Sequence, residues 1–428
     1  NSFCTLLELM PPIAVQLALR FLWAVHIPTL AFSVCQGILL PLLPILCRDA
    51  GFNDAVTGSV LAVMGAGRVC LGIPASWFVE QVGPIKVMIG AFATYVLGCA
   101  VIVAFWSLPT LFVVFAIYGA ATACYFVPRH QLLSELTARS ERGRLMSLVG
   151  GFTRWGIVIG PVIAGFVVEH AGGLVCLAMQ VPLVIVAGVA VLSSRQLDEA
   201  ARKIAWQRAE PKTPGTAGNL GMIWRHKRTV ATVGAFACIL ISARTGRRFI
   251  VPVVALNFGF SPSVVGIVVS VGFLVDALFF WVAGWVNDRV GRRWTAVPVA
   301  LLTGVAYAAL SLASTVPWFV VCVLLFGLAD VFGAGVLLTL IADVSPRECG
   351  SLFFGVLGTI KDTGSVLGPF AIGFLLHHGS PQIACSVFAL LCCLAAAIAA
   401  VAEPFGPTSD ASAVGGAAFA AIPDTESD

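Results

Sequence analysis

The stretch that decides the fold is Gly284-Trp-Val-Asn-Asp288-Arg289-Val-Gly291-Arg292-Arg293, a charged segment between two apolar runs. The run before it (about Pro262 to Val286) and the run after it (about Trp294 to Ser314) are each long enough to cross a bilayer, which takes about 20 apolar residues in a helix. Gly291 allows a sharp bend, and the arginine pair after it stays in the water and headgroup layer. The stretch therefore predicts two antiparallel, neighbouring membrane helices.

The composition is that of a membrane protein. Of 428 residues, 59% are hydrophobic and only 11% are charged, with a mean hydropathy of +0.98, whereas a soluble domain carries about 25% charged residues. Lys and Arg concentrate in loops on the side of the Gly284 turn, and Arg48 is the exception on the other side. The positive-inside rule then predicts a multi-pass protein with both termini and the central loop in the cytosol.

A weaker copy of the turn lies in the first half of the chain. It reads Glu80-Gln-Val-Gly83-Pro-Ile-Lys86, and Glu80 and Asp288 are 208 residues apart. The same offset relates Gly119 to Gly327, and Gly160-Pro161 to Gly368-Pro369. An offset that stays constant across each half predicts two homologous halves in tandem, the parallel-repeat plan of one large transporter class.

The pattern Gly-x-x-x-Asp-Arg-x-Gly-Arg-Arg after the second helix of a half, within a duplicated plan, resembles the major facilitator superfamily over about residues 20 to 402. In the first-half copy, Gln81 and Pro84-Ile85 replace the motif's arginines. The resemblance implies an all-α fold of twelve transmembrane helices in two six-helix halves. It also implies a gating role for the residues that match the motif, which are Glu80, Gly83, Gly284, Asp288, Arg289, Gly291, Arg292 and Arg293.

The domain plan follows from the polar stretches between the apolar runs. We expect an N-terminal six-helix half at residues 1–193, a cytosolic central loop at 194–228, a C-terminal six-helix half at 229–402 and a disordered cytosolic tail at 403–428. The start of the central loop, Ser194 to Glu210, is predicted to be an interfacial helix lying under the bundle. We expect the protein to be a monomer.

Ionisable residues inside membrane helices are costly, so each is a functional candidate. The offset of 208 relates Arg68 to Asp276 and Arg154 to Asp362, with the sign of the charge inverted between the halves. The resemblance implies that helix 2 packs on helix 11 and helix 5 on helix 8. We therefore predict two symmetric charge pairs across the halves, Arg68 with Asp362 and Arg154 with Asp276. Whether such pairs take part in transport or only hold the halves together stays open at this point.

Helix 7 carries Arg244 and Arg248, four residues apart and so on one helix face. The superfamily lines its central cavity with helices 1, 4, 7 and 10, and two guanidinium groups in a cavity suit a carboxylate or a phosphate. The alternative is a structural role, because the pattern Arg244-x-Gly246 followed by Pro252 also resembles what many members carry in helix 7.

Four further polar residues are candidates for the substrate or proton path. A carboxylate whose pKa is raised by desolvation could carry a proton, and Asp330 and Lys361 could instead pair with each other. These four candidates are Gln36, Tyr125, Asp330 and Lys361.

A small-residue motif occurs once in each half. Gly156-x-x-x-Gly160-Pro161-x-x-x-Gly165 in helix 5 recurs as Gly364-x-x-x-Gly368-Pro369-x-x-x-Gly373 in helix 11. Small residues four apart allow helices to approach closely. The helix 5 copy also resembles the antiporter motif of drug/proton exporters, with Ser147 and Ala164 in place of two of its glycines.

These features predict a secondary active transporter that works by alternating access, with proton-coupled export of a small organic molecule. The alternative is an organic-anion carrier that works by uptake or exchange, and a remote alternative is a membrane sensor that transports nothing. The sequence contains no nucleotide-binding glycine loop, nucleophile triad or zinc pattern, so we expect no enzyme activity, no metal and no cofactor beyond a coupled proton. The expected partners are a small-molecule substrate and the lipid bilayer, not nucleic acid.

Overall fold

Every regular element is a helix in the residues that the computed structural model describes, which are 21–137, 139–194, 224–289, 292–333, 335–345, 350–402 and 405. The predicted all-α fold is therefore confirmed. The rest of the predicted interfacial helix after Ser194, the bend at Gly291 and nearly all of the predicted tail lie outside the described residues. So do the side chains of Gly284, Asp288 and Arg289.

The first half contains six helices, α1 to α6. A short π-helical segment, Leu22–His26, leads directly into α1, and α6 is interrupted at Met179. The bounds are Ile27–Asp49 for α1, Asp54–Val82 for α2, Pro84–Ala104 for α3, Leu108–Leu136 for α4, Arg139–Ala171 for α5, Gly173–Ala178 for α6a and Gln180–Leu192 for α6b.

The second half repeats this order in α7 to α12. The sequence predicts a continuous tenth helix from Val316 to Ile341, but the structure breaks it between Phe332 and Val336, where Gly335 has a φ of +77° that glycine adopts without penalty. The bounds are Lys227–Asn257 for α7, Pro262–Arg289 for α8, Arg293–Ser311 for α9, Val316–Phe332 for α10a, Val336–Val344 for α10b, Gly350–His378 for α11 and Pro381–Val401 for α12.

Ten of the described helices are long and apolar enough to cross a membrane. The remaining two places of the twelve-helix plan belong to α10 and α11. The first piece of α10 has only 17 residues, and α11 carries Lys361 and Asp362 near its middle. The predicted plan of twelve helices in two halves holds, with one helix built from two pieces.

The offset of 208 residues reappears in the helix contacts. In the first half Gly119 on α4 faces the backbone of Met64 on α2, and in the second half Gly327 on α10a faces the backbone of Gly272 on α8. Both members of the first pair lie 208 residues before their counterparts. A side chain at either glycine would overlap the facing carbonyl, so both halves use a small residue for the same close helix crossing.

Two helix pairs join the halves, α2 with α11 and α5 with α8. We call the membrane face that carries the turn between α8 and α9 the motif face, and the other face the opposite face. Toward the opposite face both pairs are in backbone contact through equivalent small residues. In α2 and α11 these are Gly58, Pro369 and Gly373, and in α8 and α5 they are Gly266, Pro161 and Gly165.

The repeated small-residue motif therefore serves two kinds of contact. Its first two glycines contact a helix of the same half: Gly156 and Gly160 lie against α1, and Gly364 and Gly368 lie against α7. Its last glycine, Gly165 or Gly373, contacts the other half. The motif thus positions α5 and α11 between their own half and the partner half.

Candidate transport site

A cavity of about 110 Å³ lies between the halves. The first half contributes residues of α1, α2 and α4 to its wall, and the second half contributes residues of α7 and α11. The predicted candidates Gln36 and Arg248 line it, and so does Arg68, which sequence reasoning placed in a charge pair. The polar wall is completed by Thr122, Thr245 and Ser365.

The cavity's amide and hydroxyl groups are already hydrogen-bonded to the protein. Gln36 Nε2 donates to Thr122 Oγ1 at 3.0 Å, and Thr122 Oγ1 donates to a backbone carbonyl of its own helix at 2.8 Å. Thr245 Oγ1 donates to the Ile241 carbonyl at 2.8 Å. Ser365 Oγ likewise donates to a backbone carbonyl, at 2.6 Å. The donors left for a ligand are therefore chiefly the guanidinium groups.

One predicted charge pair across the halves is formed. Arg154 Nε on α5 lies 3.1 Å from Asp276 Oδ2 on α8. The guanidinium carbon of Arg154 also lies 4.7 Å from the centre of the Phe280 ring, a cation–π distance. Asp276 Oδ1 is buried and has no hydrogen-bond partner among the described residues. This pair continues the α5–α8 contact from the opposite face into the middle of the membrane.

The second predicted pair, Arg68 with Asp362, is not formed, and this corrects the prediction. Asp362 Oδ1 instead lies 3.1 Å from Nζ of its neighbour Lys361. Arg68 is exposed to the cavity. The reason is that α2 and α11 separate just beyond their last close contact, at Gly65 and Ser365, which are one helical turn away from Arg68 and Asp362.

The separation of α2 and α11 grows toward the motif face. Gly72 is one turn after Arg68, and Gly358 and Gly355 are one and two turns before Asp362, so they continue the same helix faces. A side chain at any of these three glycines would meet nothing within 4 Å. The cavity is therefore closed toward the opposite face and open toward the motif face along this helix pair.

Asp330 joins α7 to α10a and does not pair with Lys361, which is a second correction. Its Oδ1 lies 2.8 Å from Arg244 Nε, and its Oδ2 lies 2.7 Å from Arg247 Nη2. Arg244 Nη1 also donates to the Gly333 carbonyl at the break in α10, at 3.3 Å. Arg244 is thus held by the protein, so the predicted anion-binding pair of Arg244 and Arg248 is wrong in its first member.

Tyr125 is the third correction, because it lies inside the first half and not on the cavity wall. Its hydroxyl lies 2.9 Å from Thr29 Oγ1, and its ring packs on Phe32 with centroids 4.8 Å apart. Sequence reasoning missed Arg129, one turn further along α4 and buried, which donates to the same Thr29 at 3.2 Å. Helical spacing from Tyr125 is the signal that could have linked the two residues.

The described residues of the two motif turns lie at helix ends on the motif face. Gly83 is the single residue between α2 and α3, and its φ of +91° makes the sharp reversal there. Glu80 is exposed one turn earlier. In the second half, Arg292 Nε lies 2.5 Å from Asp343 Oδ2 at the end of α10b, and Arg293 Nη2 donates to the Ala402 carbonyl at 3.2 Å. These arginines bind α9 to the ends of α10b and α12.

Comparison with curated proteins finds relatives over part of the chain. The multidrug resistance protein MdtG of Escherichia fergusonii is 31% identical over 148 residues, which is 34% of this chain and 36% of that protein. MdtG of Escherichia coli matches with the same identity and coverage. The matched segment thus spans about a third of the length of these relatives.

Comparison with solved structures finds the same fold over nearly the whole chain. A variant of the nucleoside transporter NupG superposes with a TM-score of 0.71 at 15% identity, covering 89% of this chain and 98% of that one. A bacterial homologue of the human lysosomal transporter Spinster, in an inward-facing and occupied conformation, superposes with a TM-score of 0.67 at 14% identity, covering 91% and 97%. At this identity, the likeness concerns the fold alone.

The family assignment rests on the whole length of both halves. The sequence profile of the Major Facilitator Superfamily matches residues 27–250 and again residues 236–422. The predicted resemblance is thereby confirmed, together with the multi-pass membrane class. The chain is a member of the major facilitator superfamily, a family of membrane transporters.

Proposed function

We propose that the protein is a secondary active transporter that works by alternating access and exports a small organic molecule in exchange for protons. The observation that carries this proposal is the cavity between the halves, which is closed toward the opposite face and open toward the motif face. The distribution of Lys and Arg places the motif face in the cytosol. The cavity therefore faces the compartment from which an exporter takes its substrate.

The names of the curated relatives support export, and the fold supports alternating access. The curated relatives are named as multidrug resistance proteins. The Spinster homologue that shares the fold was captured in an inward-facing and occupied conformation. An arrangement that opens toward the cytosol is the substrate-loading state of an export cycle.

Asp276 is the carboxylate that we propose for proton coupling. Asp330 has both carboxylate oxygens bound by arginines, and Asp362 lies beside Lys361, whereas Asp276 Oδ1 is buried without a partner among the described residues. A proton that arrives at Asp276 would remove the charge that attracts Arg154 and weaken the α5–α8 contact. Proton binding and opening of the opposite face would then be linked through one ion pair.

The test uses proteoliposomes that contain a pH-sensitive dye and a panel of cationic, neutral and anionic compounds. A transported compound should release protons from acid-loaded vesicles containing the wild-type protein. The variant Arg154→Gln/Asp276→Asn removes both charges and leaves none unpaired; it should carry the compound down its own gradient without moving protons. The variant Asp362→Asn is the control and should stay coupled.

Two results would overturn the proposal. If no compound crosses the membrane in any direction, the protein is not a transporter and the sensor alternative stands. If proton movement persists in Arg154→Gln/Asp276→Asn, the coupling site lies elsewhere. Members of the family are transporters, so we expect no enzyme activity in this chain. We also expect both termini to lie in the cytosol and the protein to be a monomer.

A further inference from the structure

Two guanidinium groups of the central cavity form no ion pair with any carboxylate of the described residues. Arg68 belongs to the first half and Arg248 to the second, and both are exposed to the cavity. Aromatic rings lie beside both groups: the Phe126 ring is 6.0 Å from the Arg68 guanidinium and the Phe273 ring is 5.8 Å from that of Arg248, and Asp330 attracts Arg248 at longer range. In the described membrane helices, the carboxylates near the cavity are already bound by other cations: Asp276 by Arg154, Asp330 by Arg244 and Arg247, and Asp362 by Lys361.

Neither charge is neutralised by an ion pair within the described residues. Two positive charges that face one cavity repel each other, and the repulsion is strong where the dielectric constant is low. Each charge is also costly to place at membrane depth. Arginine stays protonated at any physiological pH, so this cost is not relieved by loss of a proton. A negative charge between the two groups would turn repulsion into attraction.

The wall of the cavity favours an anion over a cation. Among the described residues, no carboxylate lines it, and the hydroxyl hydrogens of Thr122, Thr245 and Ser365 are directed to backbone carbonyls. The ten N–H groups of the two guanidiniums are therefore the main donors, and their planar geometry matches carboxylate and phosphate oxygens. A cationic compound would find two like charges and no counter-ion.

The cavity also limits the size of its ligand and favours a ligand that carries an apolar part. Its volume of about 110 Å³ is well below the roughly 300–1,000 Å³ of pockets that hold drug-sized ligands. Apolar side chains of α1 and α2 form the rest of its first-half wall, among them Leu39, Leu61 and Met64. A small charged group with a short apolar part fits these walls.

We propose that the cavity binds the carboxylate, phosphate or phosphonate group of a small organic anion, held between Arg68 of one half and Arg248 of the other. The inference rests on the proposed function, because the site is the transport cavity itself. An anion bound in this way joins the halves on the α2 side, where they are otherwise apart. Substrate binding then favours closure of the motif face, and Asp362 can take the place of the anion on Arg68 after its release.

The test measures ligand binding by the purified full-length protein. The probes are inorganic phosphate, glycerol 3-phosphate, methylphosphonate and benzoate, with glycerol as the neutral control and tetraphenylphosphonium as the cationic control. At least one anion should raise the thermal unfolding temperature, because a ligand of the folded state stabilises it. Arg68→Gln and Arg248→Gln should each weaken its binding at least about tenfold, as expected for a lost charge-assisted hydrogen bond.

Matched variants separate charge at the site from charge in general. Arg48→Gln removes an exposed arginine on the opposite face and should leave binding unchanged. Arg248→Lys keeps the charge and loses the planar donors, so its affinity should lie between those of wild type and Arg248→Gln. If the glutamine variants do not fold, modification of the wild type by phenylglyoxal gives the answer by mass spectrometry, since a bound anion should protect Arg68 and Arg248 but not Arg48.

The outcomes distinguish this inference from the proposed function. Anion binding that depends on both arginines, without flux in liposomes, would uphold the anion site and overturn the transporter. Flux of cationic or neutral compounds, with no anion binding and no protection of Arg68 and Arg248, would overturn the anion site and leave the transporter. Anion affinity unchanged in both glutamine variants would also overturn it.

Discussion

The two interfaces between the halves are equivalent in backbone and different in side chains. Toward the opposite face, Gly58 on α2 meets α11 as Gly266 on α8 meets α5. In the middle of the membrane the equivalence ends. The α5–α8 interface is linked by the ion pair of Arg154 with Asp276, whereas α2 and α11 part at the equivalent residues.

Three side chains at equivalent positions differ between the two interfaces. Ser270 on α8 donates to the Val158 carbonyl on α5 at 2.7 Å, but the residue 208 positions earlier is Ala62, which has no donor. Phe280 covers the Arg154 guanidinium, but its equivalent is Gly72. Thr153 precedes Arg154, whereas its equivalent Lys361 carries a charge that binds Asp362. The repeat kept the helix crossings and changed the side chains that would seal one of them.

The comparison teaches that the two interfaces differ in this conformation: α5–α8 is closed as far as mid-membrane, whereas α2–α11 is open toward the motif face. The α5–α8 pair is in contact from the opposite face as far as Gly151. A methyl group added at Gly151 would lie 3.9 Å from the Phe280 ring. The α2–α11 pair opens beyond Gly65. In this conformation the motif face is therefore open between α2 and α11, while α5 and α8 stay in contact as far as Gly151 and Phe280.

The largest effect is expected when the closed interface loses its carboxylate. Asp276→Ala leaves the half-buried Arg154 without a counter-charge and should cost about 3 kcal/mol of stability, the low end of the range for breaking a buried pair. Asp362→Ala at the equivalent position should cost at most about 1 kcal/mol, because Asp362 is more exposed than Asp276 and pairs only with its chain neighbour Lys361. Chemical denaturation of both variants in the same detergent measures the difference. Equal losses would mean that the two interfaces are energetically alike.

A smaller effect, equal on both sides, is expected at the shared helix crossings. Gly58→Ala places a methyl group against the Pro369 carbonyl, and Gly266→Ala places one against the Pro161 carbonyl. Each should lower stability by about 1–3 kcal/mol, the usual range for overpacking. Gly72→Ala is the control, since its methyl group meets open space and alanine is the better helix former. A clear difference between the first two variants would refute the symmetry of the crossings.

The smallest effect is expected when α2–α11 is given the side chains of α5–α8. The variant Ala62→Ser/Gly72→Phe/Lys361→Thr adds a hydrogen bond and a ring over Arg68 and frees Asp362. We expect a gain of about 1 kcal/mol for the closed motif face, a roughly fivefold change in the ratio of conformations. Spin labels at the exposed positions Val82 and Phe354 should report shorter distances. An unchanged distance distribution would show that other residues keep this interface open.

The fold could be predicted because its signals are periodic and repeated. The motif at Gly284 to Arg293 predicted an antiparallel pair of helices, and the offset of 208 residues predicted that the second half repeats the helices of the first. Pairing of Arg154 with Asp276 followed from the same symmetry together with the helix neighbours that the family resemblance implied. Each of these inferences needs only the helix axes and the order of helices in the bundle.

The rest of the site depends on rotation and conformation, which the repeat does not specify. Tyr125 turns toward α1 inside its own half, although Thr122, three residues before it on α4, lines the cavity. Arg247 could not be ranked above Arg244 or Arg248 as a partner of Asp330 from spacing alone. The separation of Arg68 from Asp362 reflects which membrane face is open, and one sequence encodes both states.

The break in α10 makes the second half sensitive to the thickness of the bilayer. With 17 residues, α10a is about 26 Å long, shorter than the roughly 30 Å hydrocarbon core. α10b, which follows the break at Gly333 and Gly335, must therefore span the rest of the hydrocarbon core. Longer lipid chains stretch this joint and shorter ones compress it, at a modest cost per ångström. Because Arg244 holds the Gly333 carbonyl at the joint, lipid chain length acts directly on the polar cluster of α7.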